Sequence, residues 1–278
     1  MYTYMHNGEI KDTDRLISVR DTAPLRGYGL FDYFKVIKGV PIFVEDHIAR
    51  LLKSCEGLDL EIPYNASQLR AMIMKMIEHH PVETFAIRFL VTPGVGIDSG
   101  SKGEQPEVFC IGEPIVFPTS EDIAKGWKLI SFEYTRYLFQ FKSINYLQLM
   151  TNKKLLLDQN ANDFLFVHNG FVSESTRANM FFVAQDGRLI TSSENILEGV
   201  TRKRLLEHLV PDYTIEVRSI AFSELPSFKE AFITGSSKNI MPVFTIDNIT
   251  YSKDNSVTQA IISRFDQMTD EYIRDFKK

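Results

Sequence analysis

The chain holds 278 residues, 44% apolar and 24% charged, enough for one large or two ordinary soluble domains with a buried core, and its composition excludes a disordered chain. Lysine and arginine number 31 against 36 aspartates and glutamates, a net charge of −5 with no basic block, which excludes nucleic acid as the expected partner and points to a small molecule. Cys55 and Cys110 are too far apart in sequence for a metal knuckle or a disulfide framework, so no metal is expected and both thiols should be reduced. The opening "MYTYMHNGEIKD" lacks the basic end and apolar core of a signal peptide, and no window has the apolar length of a membrane span, so the expected location is cytoplasmic, away from any membrane.

In chain order, "TYMHNGEI" reads as a hairpin turning at Asn7-Gly8, and "LRGYGLFDYFKVIKGVPIFV" as two strands joined at Lys38-Gly39. Ile48, Leu51, Leu52 and Cys55 mark one face of a helix in "EDHIARLLKSCEGL". A second helix is expected in "NASQLRAMIMKMIEHH", then buried strands in "TFAIRFLVTPG" and "PEVFCIG". The proline-bearing "EPIVFPTSED" is the linker candidate. The boundaries that follow are a smaller N-terminal α+β domain over 1–115, a linker over 116–122 and a larger C-terminal domain over 123–278. The second domain should hold short strands around "DFLFV", "NMFFV" and "RLIT", hairpin turns at Asn169-Gly170 and Asp186-Gly187, a helix from Thr201 and a long C-terminal helix. The fold class is α/β in the α+β sense.

Chemistry concentrates at a few positions. Lys142 stands in the apolar and aromatic run "LFQFKSINYLQLM", where it either snorkels to water or holds its amine for reaction. Glu174, in "NGFVSESTRANMFFV", interrupts an otherwise buried sheet; it is either a solvated loop glutamate or a carboxylate that needs a partner. In "NILEGVTRKRLLEHL", Thr201 is a credible N-cap, Gly199 lets the backbone approach something closely, and Arg202, Lys203 and Arg204 crowd the first turn with the wrong sign for the helix dipole. A bound anion would relieve that conflict, and a solvated basic surface is the alternative. Gly235-Ser236-Ser237 follows an apolar strand and can surround an anion or simply turn, while Arg50 follows His47 by three residues on one helical face.

A lysine amine, a carboxylate, a helix N-terminus and an arginine are together what pyridoxal 5′-phosphate requires. "RGYGLFDYFKV", "EDHIARL", "KSINYL", "VSESTRANMFFV", "ILEGVTRKRLL" and "TGSSKNIMPV", in this order over nearly the whole chain, resemble the class IV (fold type IV) pyridoxal-phosphate aminotransferases. That family includes branched-chain and D-amino acid aminotransferases and 4-amino-4-deoxychorismate lyases. The resemblance implies a two-domain fold with a β-barrel-like C-terminal domain, and a homodimer acting on amino acids and 2-oxo acids. It implies Lys142 as the catalytic Schiff-base lysine, in apolar surroundings because that linkage must be dry and fixed, and Glu174 as partner of the pyridine nitrogen. It implies Arg50, Val200, Thr201 and Ser236 as phosphate ligands, with Tyr146 beside the cofactor or substrate. Phe31, Arg88 and Ser237 fall in the region implied to contact substrate.

The sequence departs from the family in two places. Arg88, in "FAIRFLVTPG", has no histidine two residues on, so the usual Arg-x-His carboxylate trap of D-specific members is absent. Arg177 stands three residues after Glu174, where small residues are common in the family, and Arg26 precedes Gly27. If residues 175 to 178 turn rather than run straight, Arg177 can clamp a carboxylate; structural salt bridges are the alternative for both arginines. Arginines replacing the trap favour a D-amino acid or dicarboxylate-accepting transaminase over a branched-chain L-amino acid enzyme, with a pyruvate-releasing lyase as the rival class.

Overall fold

The computed structural model describes residues 1–98, 101–209 and 211–278, which form two compact units. The first comprises Met1–Val116, Phe141–Asn145 and Glu271–Lys278; the second comprises Phe117–Gln140 and Tyr146–Asp270.

The first unit contains β1 (Thr3–His6), β2 (Glu9–Lys11), α1 (Thr22–Arg26), β3 (Leu30–Ile37), β4 (Val40–Pro41), α2 (Val44–Gly57), α3 (Ala66–His79), β5 (Phe85–Thr92) and β6 (Glu107–Glu113). Its six strands run in the order β2-β1-β6-β5-β3-β4. Asn7-Gly8 and Lys38-Gly39 turn with positive φ at both residues, as the sequence suggested. Ile48, Leu51 and Cys55 on α2 pack with Leu69, Ile73 and Met76 on α3 against Leu30, Phe34 and Val36 of β3. A capping box between Asn65 and Gln68 starts α3.

The segment around Lys142 is docked onto this sheet. Phe31 N–H donates to the Lys142 carbonyl at 2.9 Å, Ile144 N–H donates to the Gly29 carbonyl at 3.1 Å, and Leu30 and Ser143 form an antiparallel bridge. Phe141 packs into the core where α2 ends, so close that a Cβ on Gly57 would collide with its ring. The apolar neighbours of Lys142 therefore dock the segment, and Lys142 itself is half-buried.

The second unit contains α4 (Ser120–Lys125), β7 (Trp127–Glu133), α5 (Leu147–Thr151), α6 (Lys153–Asp158), β8 (Asp163–His168), β9 (Phe171–Ser175), β10 (Asn179–Val183), β11 (Leu189–Ser192) and α7 (Val200–His208). There follow β12 (Ile215–Arg218), β13 (Ile220–Ala221), a 3-10 turn (Phe222–Ser227), β14 (Glu230–Gly235), β15 (Asn239–Ile246), β16 (Ile249–Thr250) and α8 (Ser256–Phe276), whose last residues cluster with the first unit. Strands β10, β14, β15, β7, β8 and β9 pair in succession, and β9 pairs back onto β10. The sheet thus closes on itself, which removes the free edges an open sheet would leave. The closing bridge is Glu174 opposite Asn179.

Helix α4, capped by Thr119, begins inside the stretch expected to be linker. Helix α7 begins one turn-position earlier than its sequence suggested: Gly199, in extended conformation, is the N-cap and Thr201 is buried in the first turn. A Cβ at position 199 would collide with Asn179 Oδ1 unless that side chain shifted, so the glycine holds the cap on space rather than on hydrogen bonding. Among the described residues no helix is long and apolar enough to cross a membrane. Both cysteines are free and buried, and burial pushes the Cys55 thiol up to about 12.

Candidate active site

Each unit carries one constellation of charged side chains. In the first, Leu30, Asp32, Phe34 and Val36 alternate onto the buried face of β3, which places a carboxylate under α2. Asp32 Oδ1 meets His47 Nδ1 at 2.7 Å and accepts from Arg50 Nη2 at 2.8 Å, while Oδ2 accepts from Arg50 Nε at 2.9 Å. His47 and Arg50 do share one helical face, but it faces Asp32 rather than water. Burial alone would push the Asp32 carboxyl up; Arg50 and His47 outweigh it and hold the group well below the usual carboxylate range. Burial pushes the His47 imidazole down, and Asp32 opposes that shift without reversing it.

On the opposite face of β3, the Lys142 amine lies 4.4 Å from the centre of the Phe31 ring. The Arg88 guanidinium lies 5.4 Å from the same ring and 5.1 Å from that of Tyr33. Glu113 accepts from Arg88 Nη2 at 2.8 Å and from Nε at 3.2 Å. Lys142, Phe31 and Arg88 are thus brought together, with Glu113 an unanticipated fourth member. Arg26 is exposed at the end of α1, its Nη1 donating to the Leu25 carbonyl.

In the second unit Glu174 is 4% exposed. Its Oε1 accepts from Arg136 Nε at 2.8 Å and pairs with Nη2 at 2.7 Å; its Oε2 accepts from Asn179 Nδ2 at 3.2 Å and from Leu197 N–H at 3.0 Å. The solvated-loop reading of Glu174 is therefore wrong, because this carboxylate is desolvated and charge-paired. Arg136 also donates to the Phe139 carbonyl at 2.7 Å, which fixes its planar head. Directly after Glu174 the chain bends through Thr176, Arg177 and Ala178, with Ser175 N–H donating to the Ala178 carbonyl at 2.8 Å. Asp163 buttresses this bend by accepting from the Ser175 and Thr176 hydroxyls. Its own carboxyl is pushed up, because burial outweighs those hydrogen bonds and the Arg177 charge.

Arg177 is exposed on that bend, so the straight-strand alternative does not hold. Its carbonyl lies 3.3 Å from where a Cβ on Gly235 would sit, which sets the bend against the turn holding Ser236 and Ser237. Both serines are half-buried between β14 and β15. Beside them Thr234 is buried, and its hydroxyl has no hydrogen-bond partner among the described residues. Asn179 lies opposite Thr234 in the sheet, and its Nδ2 also donates to the Leu197 carbonyl at 2.8 Å. Val200 and Thr201 open α7 with no side-chain cap over their N–H groups. The three cations of that turn behave differently from one another. Arg202 is buried and donates to Thr191 Oγ1 and the Ser192 carbonyl, while Lys203 and Arg204 each lie 3.8 Å from Glu207. Tyr146 is half-buried at the start of α5.

These features suit a phosphorylated aromatic cofactor. An uncapped helix N-terminus, a serine turn and an orphaned buried hydroxyl match a phosphate, and a buried, arginine-paired carboxylate matches a protonated ring nitrogen. Asp32, Arg136, Asn179, Glu113 and Thr234 were not anticipated. Asp32 did carry a signal, being a carboxylate on the apolar face of a strand. Arg136 carried none, since its partner lies 38 residues away.

Comparison with known proteins identifies the family. The model of the class IV amino-transferase family matches residues 29–246. A protein of Methanocaldococcus jannaschii named as a candidate branched-chain-amino-acid aminotransferase is 30% identical, over 95% of each chain. The D-alanine aminotransferase of Bacillus licheniformis is 24% identical over 88% of this chain and 89% of its own. Among solved structures, a candidate 4-amino-4-deoxychorismate lyase from Legionella pneumophila superposes with a TM-score of 0.85 at 23% identity, covering 92% of this chain and 96% of that one.

Proposed function

The chain belongs to the class IV aminotransferases, a family of pyridoxal 5′-phosphate enzymes, and from that premise we propose that it moves an amino group between a D-amino acid and a 2-oxo acid through Lys142. Bound, the cofactor supplies an aldehyde that exchanges amines and a ring that takes up the electron pair left when the substrate Cα proton departs. Lys142 holds and moves that proton at Nζ, with the Phe31 ring beneath the amine as its support. Glu174 would hold a proton at the ring nitrogen, and Arg136, Asn179 and the Leu197 N–H fix its carboxylate in place. The phosphate would be taken by the Val200 and Thr201 N–H groups, Ser236, the Thr234 hydroxyl and Arg50, whose orientation Asp32 sets. Tyr146 would flank the ring. Homodimeric assembly in the cytoplasm completes the reading; the free, buried cysteines are in keeping with that compartment.

One observation supports the D-amino acid assignment. The exposed Arg177 follows Glu174 on a bend set against the Gly235–Ser237 turn, where its guanidinium can grip a substrate carboxylate in place of the missing Arg-x-His trap. Ser237 and Arg26 would assist at the carboxylate. The branched-chain L-amino acid reading is favoured instead by the 30% identity to the M. jannaschii protein.

The test is the absorbance of the purified holoenzyme as D-alanine, D-glutamate, L-leucine and L-glutamate are added separately without an acceptor. Conversion of the cofactor from its aldehyde to its amine form by the D-series alone is the expected result. Conversion by the L-series with L-leucine among it, and by neither D-amino acid, would make the branched-chain reading correct. No conversion by any of them, together with pyruvate release from aminodeoxychorismate, would make the protein a lyase. Lys142→Ala should abolish turnover, and unchanged turnover would overturn the proposal.

A further inference from the structure

We infer that Glu113 sets the enzyme's side-chain selectivity: it occupies the Arg88 guanidinium beside Lys142, so amino acids with uncharged side chains are taken in preference to dicarboxylic ones. The inference rests on the aminotransferase reading and names the side chain that reading leaves open.

On paired β5 and β6, Arg88 lies opposite Ile111 and Ala86 opposite Glu113, so Arg88 and Glu113 are diagonal neighbours on one face of the sheet. Their contact is the two-pronged arrangement a planar guanidinium forms with a carboxylate, at 2.8 and 3.2 Å. The cation is held flat by Phe31 and Tyr33, and Phe31 also carries the Lys142 amine, so the guanidinium and the reacting amine share one ring. A substrate side-chain carboxylate near Lys142 would find in Arg88 its natural partner, and would find it already paired.

Tyr33, on the same face, does not replace Glu113 in that role. Burial, then the Glu113 charge, push the Tyr33 hydroxyl up to about 12, so it stays a neutral donor and cannot balance Arg88. The pair is also within reach of a ligand, since the Arg88 side chain is 36% exposed and that of Glu113 17%. At such exposure an ion pair is weak, so Glu113 can be displaced and the selectivity is graded rather than absolute.

The experiment compares the holoenzyme, Glu113→Gln, Arg88→Gln and the double variant in kcat/KM for alanine and glutamate of the reactive enantiomer, with one monocarboxylic 2-oxo acid as acceptor. The wild type should prefer alanine. Glu113→Gln should raise the glutamate-to-alanine ratio about tenfold, chiefly through a lower KM for glutamate, and the double variant should lose that gain. A ratio that moves less than twofold in Glu113→Gln, or a gain that survives removal of Arg88, overturns the inference. Glu113→Thr serves in its place if Glu113→Gln proves unfolded by circular dichroism. Should the wild type transfer no amino group at all, the aminotransferase reading falls, and titration of glutarate against butyrate at the cofactor absorbance still decides the role of Glu113. Glutarate must then tighten severalfold relative to butyrate in Glu113→Gln, and equal shifts for the two acids overturn it.

Discussion

Asp32 and Glu174 are both buried carboxylates with nitrogen donors on each oxygen, yet they are assembled in opposite ways. Asp32 is served by two side chains of a single helix, His47 and Arg50, one turn apart, and by the N–H of the next residue, Tyr33. Glu174 is served by Arg136 from the stretch after β7, Asn179 from the barrel-closing strand and the backbone of Leu197 ahead of α7. The first arrangement is local and forms wherever α2 packs on β3. The second exists only when the barrel has closed, because its donors come from three segments that meet nowhere else. A chain can thus fix an arginine with one helix and one strand, whereas the dry, charge-paired Glu174 carboxylate needs the closed barrel around it.

The largest effects come from removing either carboxylate. Glu174→Gln leaves the Arg136 guanidinium, 14% exposed, without its counter-charge and should cost about 3–5 kcal/mol, read from urea unfolding at Trp127, the sole tryptophan, on β7 of the same barrel. Asp32→Asn should cost a similar amount, about 3–5 kcal/mol, seen as faster hydrogen exchange of the α2 and β3 amides. If Glu174→Gln unfolds at the wild-type midpoint, the carboxylate is not integral to barrel closure and the contrast fails.

Gly199→Ala sharpens the comparison on the barrel side. Position 199 has an ordinary negative φ, so the only penalty is the collision with Asn179 Oδ1. A loss of about 1–3 kcal/mol is expected, with weaker cofactor retention as the Asn179 amide is pushed from Glu174. Full stability in the thermal melt would show that Asn179 can move away freely. Asn65→Ala, away from both constellations, removes the cap of α3 and should cost about 1 kcal/mol with no change in turnover per folded molecule.

The smallest effect is a slope. Because burial holds folded His47 below its ordinary value, the unfolded chain takes up this proton first as the pH falls. The stability tied to neutral His47 is intact above about pH 6.5 and drains as the pH drops through that value toward the folded one. His47→Gln should therefore flatten the fall in urea midpoint between about pH 7 and 5, and an unchanged slope would mean that the fold leaves the His47 proton affinity where the unfolded chain has it. Asp32 behaves likewise at lower pH: its folded value is depressed, so its contribution persists above the usual carboxylate range and disappears only in stronger acid.

The sequence by itself determined the elements and the chemistry types. Asn-Gly and Lys-Gly pairs placed hairpins because few other residues accept positive φ, and apolar periodicity placed α2 and the buried strands. Lys142, Glu174, Arg50 and the Gly-Ser-Ser turn were legible as residues whose chemistry demands a partner. What those partners are was decided only by the tertiary structure. The apolar run around Lys142 docks a segment through Phe141 and Ile144, the cap of α7 is Gly199 because Asn179 fills the space, and Arg88 is bound by a glutamate two positions along a neighbouring strand. Periodicity and propensity are local and read along the chain, whereas these charge pairs act across space between residues 25 and 38 positions apart, and only the folded sheet brings those together.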